Sequence, residues 1–132
     1  GDKLTMIDRV NATVLFVQNL EKMMVFYRDT LGLEVVFSDE VSFAFRMVEQ
    51  DFALVTVSEG AKMLSNEVFA SRQASNSHVM LCVDIDNIDD VYQVLKSKGV
   101  TFIKPPVDQH WGYRTAYFAD PEGNIWEFRQ SI

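Results

Sequence analysis

One order of secondary structure, a strand followed by a helix and three short strands, occurs twice in this chain of 132 residues. Runs of β-branched and aromatic residues indicate the strands, and apolar residues spaced three or four apart indicate the helices. The helices end at Gly32 and Gly99, since glycine adopts the left-handed conformation that closes a helix. The interval between these two glycines is about the same as the interval between the strand ends Val17 and Val83. Because a chain of this length holds one core, the repeat predicts two βαβββ modules in a single domain.

The first module is predicted over about residues 9–57. Its opening strand covers residues 9–17, and Asn19 is expected to cap the helix that follows. One face of that helix carries the apolar residues Leu20, Met23, Met24, Tyr27 and Leu31. Three strands are predicted next, over residues 33–38, 41–49 and 52–57.

The second module is predicted over about residues 77–130. Its opening strand covers 77–84, its helix ends at Gly99, and a tight turn is predicted at residues 120–123. The three closing strands are predicted over residues 100–103, 113–119 and 124–129. Between the modules, residues 58–76 lose the strand pattern, which predicts a short helix inside a connection that serves as a lid or linker.

Charge and cysteine content exclude several classes of protein. Twelve basic and nineteen acidic residues give a net charge of −7, which argues against a nucleic-acid partner and against an anionic membrane surface. The single cysteine excludes an intramolecular disulfide, and no apolar run has the length of a membrane span. The predicted location is therefore cytoplasmic. A cationic or neutral small organic ligand remains compatible with this composition.

Three segments carry a resemblance to a known family. They are NLEKMMVFYRDTLGLEVV at 19–36, SHVMLCVDIDNIDDVYQVLKSKGVTF at 77–102, and WGYRTAYFADPEGNIWEF at 111–128. They resemble the vicinal-oxygen-chelate superfamily, which includes glyoxalase I, extradiol dioxygenases and the bleomycin- and fosfomycin-resistance proteins. The resemblance implies one α+β domain over residues 1–132, with two tandem βαβββ modules whose curved mixed sheets enclose a cleft. It also implies a homodimer with the sites at or near its interface.

The same resemblance implies metal ligands at two positions of the second module. His78 opens its first strand and Glu127 lies on its last strand, and the two could hold Zn, Ni, Mn or Fe. The first module has Ala12, or Asn11 after a one-residue slip, where the family places a histidine. Its last strand has no carboxylate in its body. The expected set of metal ligands is therefore incomplete.

Strand alternation predicts which side chains face the cleft. Met80 and Cys82 share a face with His78, Phe16 shares the corresponding face of the first module, and Glu127 faces away from Trp126. Cys82 is expected to be a small buried residue. Phe45, Phe69, Trp111, Tyr113 and Tyr117 could add aromatic walls, but an aromatic residue in a β-rich domain is more often part of the core. Trp111, in a loop beside Gly112, is the one expected in a wall. The predicted ligand-binding residues are His78, Met80, Phe16, Trp111, Tyr113 and Arg114.

Two functions remain open from the sequence. The first is a small-molecule-binding protein with an apolar cleft, in which His78 and Glu127 are polar contacts and no complete metal site exists. The second is a metal-dependent lyase, isomerase or dioxygenase, in which His78 is a ligand and Glu127 is a ligand or a catalytic base. The second function needs a third ligand, from Asn11, from residues 58–76 or from a partner chain.

Overall fold

The computed structural model of the chain describes residues 10–63, 65–70 and 79–132. The first sheet contains four strands: β1 (Ala12–Val17), β2 (Val35–Ser38), β3 (Ser42–Phe45) and β4 (Asp51–Thr56). Their order is β1-β4-β3-β2, with β1 parallel to β4 and the other pairs antiparallel. Helix α1 (Leu20–Val25), continued by a π-helical turn (Phe26–Thr30), connects β1 to β2.

Two short helices, α2 (Val57–Met63) and α3 (Asn66–Ala70), follow the first sheet. The second sheet contains β5 (Met80–Asp84), β6 (Phe102–Asp108), β7 (Tyr113–Ala119) and β8 (Ile125–Ser131). Its order, β5-β8-β7-β6, and its parallel outer pair repeat those of the first sheet. Helix α4 (Ile88–Ser97) connects β5 to β6. The predicted α+β fold, with two βαβββ modules and curved mixed sheets around a cleft, is confirmed.

The predicted helix signals are present at both ends of the helices. The Asn19 side chain accepts a hydrogen bond from the Lys22 amide at 3.0 Å, as expected of an N-cap. Gly32 and Gly99 have φ angles of +79° and +89°, the left-handed conformation that glycine adopts without steric cost. The π-helical turn was not predicted. In it the Leu31 amide donates to the Phe26 carbonyl, one residue beyond the α-helical spacing.

Several predicted elements have different bounds in the structure; the strand predicted at 41–49, for example, covers only Ser42–Phe45. The strand predicted at 100–103 runs from Phe102 to Asp108 and includes Pro105 and Pro106. It is an edge strand whose register to β7 shifts twice, so the missing amides of the prolines are tolerated. The single helix predicted within 58–76 is two helices, and residues 71–76 of that segment lie outside the described residues.

Both modules contribute to one hydrophobic core, and Tyr27 lies at the junction. This side chain is fully buried, and its ring contacts Phe45 and Phe52 of the first sheet and Trp126 of the second. Its hydroxyl donates to Asp120 Oδ2 at 2.6 Å and accepts from Trp126 Nε1 at 3.0 Å. The two sheets therefore share their apolar side and cannot be separated without breaking these bonds.

The Tyr27 hydroxyl makes the stability of the folded protein depend on pH in the alkaline range. Burial and the adjacent Asp120 carboxylate raise the pKa of Tyr27 far above its ordinary value near 10. Above about pH 10 the unfolded tyrosine ionises while the folded one keeps its proton, so stability falls as pH rises. Between about pH 10 and about pH 11 we expect this residue to lower the free energy of unfolding by about 1 kcal/mol.

Urea unfolding measured between about pH 9 and about pH 11 checks this expectation. The Tyr27→Phe variant has no ionisable group at this position, so its stability should fall less steeply over the same range. Parallel slopes for the two proteins would contradict the assignment.

Candidate functional site

The open faces of the two sheets, on the side away from the shared core, can be compared residue by residue. In the first module Val14 pairs with Ala53, and Ala53 pairs with Ala44. In the second module the corresponding pairs join Cys82 to Glu127 and Glu127 to Tyr117. The same three positions therefore hold small apolar side chains in one module and a thiol, a carboxylate and a phenol in the other.

Glu127 is the centre of the polar group on the second sheet. Only 8% of its surface is exposed, although it is a carboxylate on a strand. The Tyr117 hydroxyl donates to Glu127 Oε2 at 2.5 Å, and Cys82 is the residue paired with Glu127 on the neighbouring strand β5. We call Cys82, Tyr117 and Glu127 the carboxylate cluster. The hydrogen bond from Tyr117 partly compensates the burial of the charged group.

Both donors of the carboxylate cluster hold their protons firmly. Partial burial, followed by the hydrogen bond to Glu127, raises the pKa of the Tyr117 hydroxyl. The same two causes, in the same order, raise the pKa of the Cys82 thiol, and Arg129 partly opposes them. At neutral pH both groups therefore keep their protons, and the Tyr117 hydroxyl donates to Glu127.

An ion pair lies beside the carboxylate cluster on the same face. Arg129 Nε donates to Asp84 Oδ1 at 2.7 Å, and the guanidinium lies 4.9 Å from the centre of the Tyr113 ring. These three residues, with Asp86, line a cavity of about 300 Å³ at the carboxyl ends of β5 and β8. The second module thus offers an anionic group and a small cavity next to each other.

The open face of the first module is covered in part by the two short helices. The Phe16 ring on β1 packs edge-on against Phe69 of α3, with ring centres 5.1 Å apart. A β-carbon on Gly60 of α2 would lie 2.7 Å from Phe16 Cδ1, so the helix approaches β1 as closely as glycine allows. Phe16 is therefore half-buried under α2 and α3, while Val14 remains exposed.

The predicted ligand-binding residues do not all lie together. Met80 and Tyr113 lie on the open face of the second sheet, with Tyr113 beside Arg129. Trp111 is 52% exposed in the β6–β7 turn, where its ring contacts His110. His78 lies outside the described residues. Its predicted role, as a metal ligand or as a polar contact in the cleft, therefore stays a prediction.

Arg114 lies on the opposite face of β7 from Tyr117. Its guanidinium donates to Asp89 at the start of α4 and to Asp108 on β6, each at 3.0 Å. Those two ion pairs hold the side chain next to the helix and away from the carboxylate cluster. Its placement does not favour the predicted ligand contact.

One expectation about burial was wrong. Cys82, expected to be buried, is exposed, because its strand face is the open one and not the one under α4. Phe45 is in the core against Tyr27, the more frequent place for an aromatic residue in a β-rich domain. Sequence analysis also missed the bond between Tyr117 and Glu127. The signal was available, because the tight turn at 120–123 sets the hairpin register that pairs these positions.

The described residues do not by themselves supply a set of metal ligands, and the predicted ligand His78 is not among them. Zn, Ni, Mn and Fe sites use at least three protein ligands, drawn mainly from His, Cys, Asp and Glu. Within residues 10–63, 65–70 and 79–132, no three such side chains come together. At the carboxylate cluster Glu127 is joined only by a thiol whose raised pKa opposes the thiolate form that binds metals.

The reactivity of Cys82 tests the geometry of the carboxylate cluster. We expect iodoacetamide to alkylate this thiol more slowly at neutral pH than the same thiol in the unfolded chain, because the folded thiol keeps its proton. Glu127→Gln removes the negative charge beside the sulfur and should raise the rate severalfold. Mass spectrometry follows the reaction without ambiguity, since the chain has one cysteine.

The matched control for this measurement is Glu40→Gln, the same chemical change at an exposed position in the β2–β3 turn. It should leave the alkylation rate unchanged. An unchanged rate in Glu127→Gln would contradict the contact between the two side chains.

Helices that could cross a membrane are absent from the described part of the chain.

Comparisons with known proteins identify what the chain is similar to. The family model described as Glyoxalase/Bleomycin resistance protein/Dioxygenase superfamily matches residues 9–128. The uncharacterized protein YraH of Bacillus subtilis strain 168 is 29% identical over 121 residues, which cover 89% of this chain and 94% of that protein.

Solved structures show the same fold. A glyoxalase/bleomycin resistance protein/dioxygenase from Nocardioides has a TM-score of 0.85 at 24% identity, covering 98% of this chain and 87% of that one. A superfamily member from Sphaerobacter thermophilus has a TM-score of 0.72 at 26% identity, covering 96% of this chain and all of the other.

Proposed function

The chain belongs to the Glyoxalase/Bleomycin resistance protein/Dioxygenase superfamily, and within it we propose that the chain binds a small organic molecule in the cleft between its open sheet faces. Glu127 is the proposed polar anchor, and His78 is a second proposed contact. The fold alone selects no activity, because it serves both enzymes and binding proteins. The proposal therefore depends on the groups that these particular residues present.

The observation that carries the proposal is the unequal pair of open faces. One face presents a buried carboxylate that accepts a hydrogen bond from Tyr117, and the equivalent positions of the other face are Val14, Ala44 and Ala53. Sites that bind small organic molecules typically contain a few polar groups among many apolar ones. The small side chains leave room for the body of a ligand, and the carboxylate gives that ligand an orientation.

The charge of the cluster indicates the class of ligand. Tyr117 donates to Glu127 and Cys82 keeps its proton, so the cluster as a whole carries a negative charge and attracts a cation or an N–H donor. The chain as a whole carries −7, which favours the approach of cations. We therefore propose an aromatic or aliphatic amine as the ligand.

Thermal unfolding of chelator-treated protein tests this function. Amines that are protonated at neutral pH, such as benzylamine, should raise the melting temperature, whereas the uncharged benzyl alcohol should not. A ligand at about a hundred times its dissociation constant adds about 2.7 kcal/mol of stability, which is several degrees for a domain of this size. Zn, Ni, Mn and Fe(II), added singly, should produce no shift that depends on Glu127.

A metal-induced shift that is lost in Glu127→Gln would overturn the proposal. It would favour the metal-dependent lyase, isomerase or dioxygenase, with further ligands from His78 or from a partner chain. The homodimer is likewise a prediction, and sedimentation velocity tests it.

A further inference from the structure

A second cavity, of about 490 Å³, lies at the carboxyl ends of β1 and β4, between these strands and helices α2 and α3. Its lining includes Gln18, Thr56, Ser58, Ala61, Asn66 and Phe69. None of these residues belongs to the carboxylate cluster or to the cavity beside Arg129. Its volume is within the range of sites that hold small organic molecules.

The polar groups of this second cavity are hydroxyls and amides. The hydroxyls of Thr56 and Ser58 lie 3.2 Å apart, and Thr56 Oγ1 also accepts from the Glu59 amide. The side-chain amides of Gln18 and Asn66 form no hydrogen bond with another described residue. Each can therefore offer both a donor and an acceptor to a ligand.

The apolar wall of the second cavity is held in position by close packing. Phe69 meets the Phe16 ring at 74°, an edge-to-face arrangement that aromatic pairs prefer. Gly60 allows α2 to sit directly on the same ring. The aromatic wall therefore has one position relative to the strand ends, as a binding site requires.

The cavity beside Arg129 occupies the equivalent place in the other module of the repeat. Comparing the two cavities indicates which class of ligand the second cavity can bind. Asp86 and Arg129 line the cavity of the second module, and Gln18 and Val55 hold the corresponding positions in the first module. None of the lining residues that the structure describes around the second cavity is charged. A charged ligand would find no ion-pair partner among these side chains, whereas an uncharged ligand can use their hydroxyls and amides.

We propose that this second cavity binds a small uncharged aromatic molecule that carries a carboxamide or a similar donor–acceptor group. The ring would lie against Phe69, and the carboxamide would hydrogen-bond the amides of Gln18 and Asn66 and the hydroxyl of Ser58. This site is separate from the proposed amine site, and the two can be occupied independently.

Titration with nicotinamide, followed by ¹H–¹⁵N NMR, tests the second cavity. We expect saturable shifts at the backbone amides of Gln18 and Ser58 and at the side-chain amide of Asn66. Nicotinate has the same ring but a charged carboxylate, and it should bind at least tenfold more weakly. Glu127→Gln should not change the affinity for nicotinamide, which separates this site from the amine site.

A filling variant and its matched control complete the test. Ala61→Leu places a larger side chain in the cavity and should weaken nicotinamide binding at least tenfold. Lys62→Leu introduces the same residue into the same helix at a position outside the lining, and should bind as the parent protein does. Melting temperatures of both variants establish that they are folded.

Three results would overturn the proposal. The first is the absence of saturable shifts at Gln18, Ser58 and Asn66 with nicotinamide and with benzamide. The second is equal binding of nicotinamide and nicotinate, and the third is unchanged binding in a folded Ala61→Leu variant.

Discussion

Replacing Asp120 by alanine should lower the free energy of unfolding by about 3 kcal/mol or more. This carboxylate is only 4% exposed and accepts four hydrogen bonds. One comes from the Tyr27 hydroxyl at 2.6 Å, and three come from the backbone amides of Glu122 and Asn124 and the side-chain amide of Asn124. The substitution leaves several of these donors without an acceptor, at about 1–3 kcal/mol for each one that stays buried.

The effect of Asp120→Ala should be visible both in urea and on heating. For a chain of this size, 3 kcal/mol corresponds to a decrease of about 10 °C in melting temperature. Tyr27→Phe removes one of the four donors and should cost less, about 1–2 kcal/mol. Glu40→Ala, at an exposed turn position, serves as the control and should change stability by less than about 0.5 kcal/mol. An Asp120→Ala variant as stable as that control would show that the bonds to Asp120 contribute nothing.

Replacing Glu127 by glutamine should weaken the binding of an amine by about tenfold to a hundredfold. A hydrogen bond to a charged group contributes about 1.5–3 kcal/mol, and the amide keeps the shape of the carboxylate while losing its charge. Titration calorimetry with the amine that gives the largest thermal shift measures this loss.

Two comparisons make the Glu127 result specific. Glu40→Gln changes the net charge by the same amount at an exposed site and should leave the affinity within a factor of two or so. Uncharged alcohols should bind Glu127→Gln and the parent protein equally. Loss of affinity for the amine in both glutamine variants would point to net charge alone and would contradict an anchor at Glu127.

The sequence predicted the fold well because its signals are local. Helix α1 begins after Asn19 and is closed by Gly32, and these residues determine where the helix can start and stop. The edge strand β6 was predicted too short. Pro105 and Pro106 are unfavourable in a strand unless the edge position is known, and edge position depends on the assembled sheet.

The candidate site was less predictable because it depends on pairing between distant strands. Alternation correctly placed Glu127 and Trp126 on opposite faces of β8. It could not show that the Cys82 face is open and therefore exposed. The bond from Tyr117 required the hairpin register, and the ion pairs of Arg114 with α4 required the packing of a helix on the sheet.

The unequal open faces have a consequence for how this protein can change during evolution. Under the proposed function, the carboxylate cluster determines how the ligand is oriented, while Val14, Ala44 and Ala53 determine how large it can be. Substitutions among small apolar residues in the first module would alter ligand size without disturbing the anchor in the second. These first-module positions can therefore vary on their own, and ligand preference can change there while the contact at Glu127 stays the same.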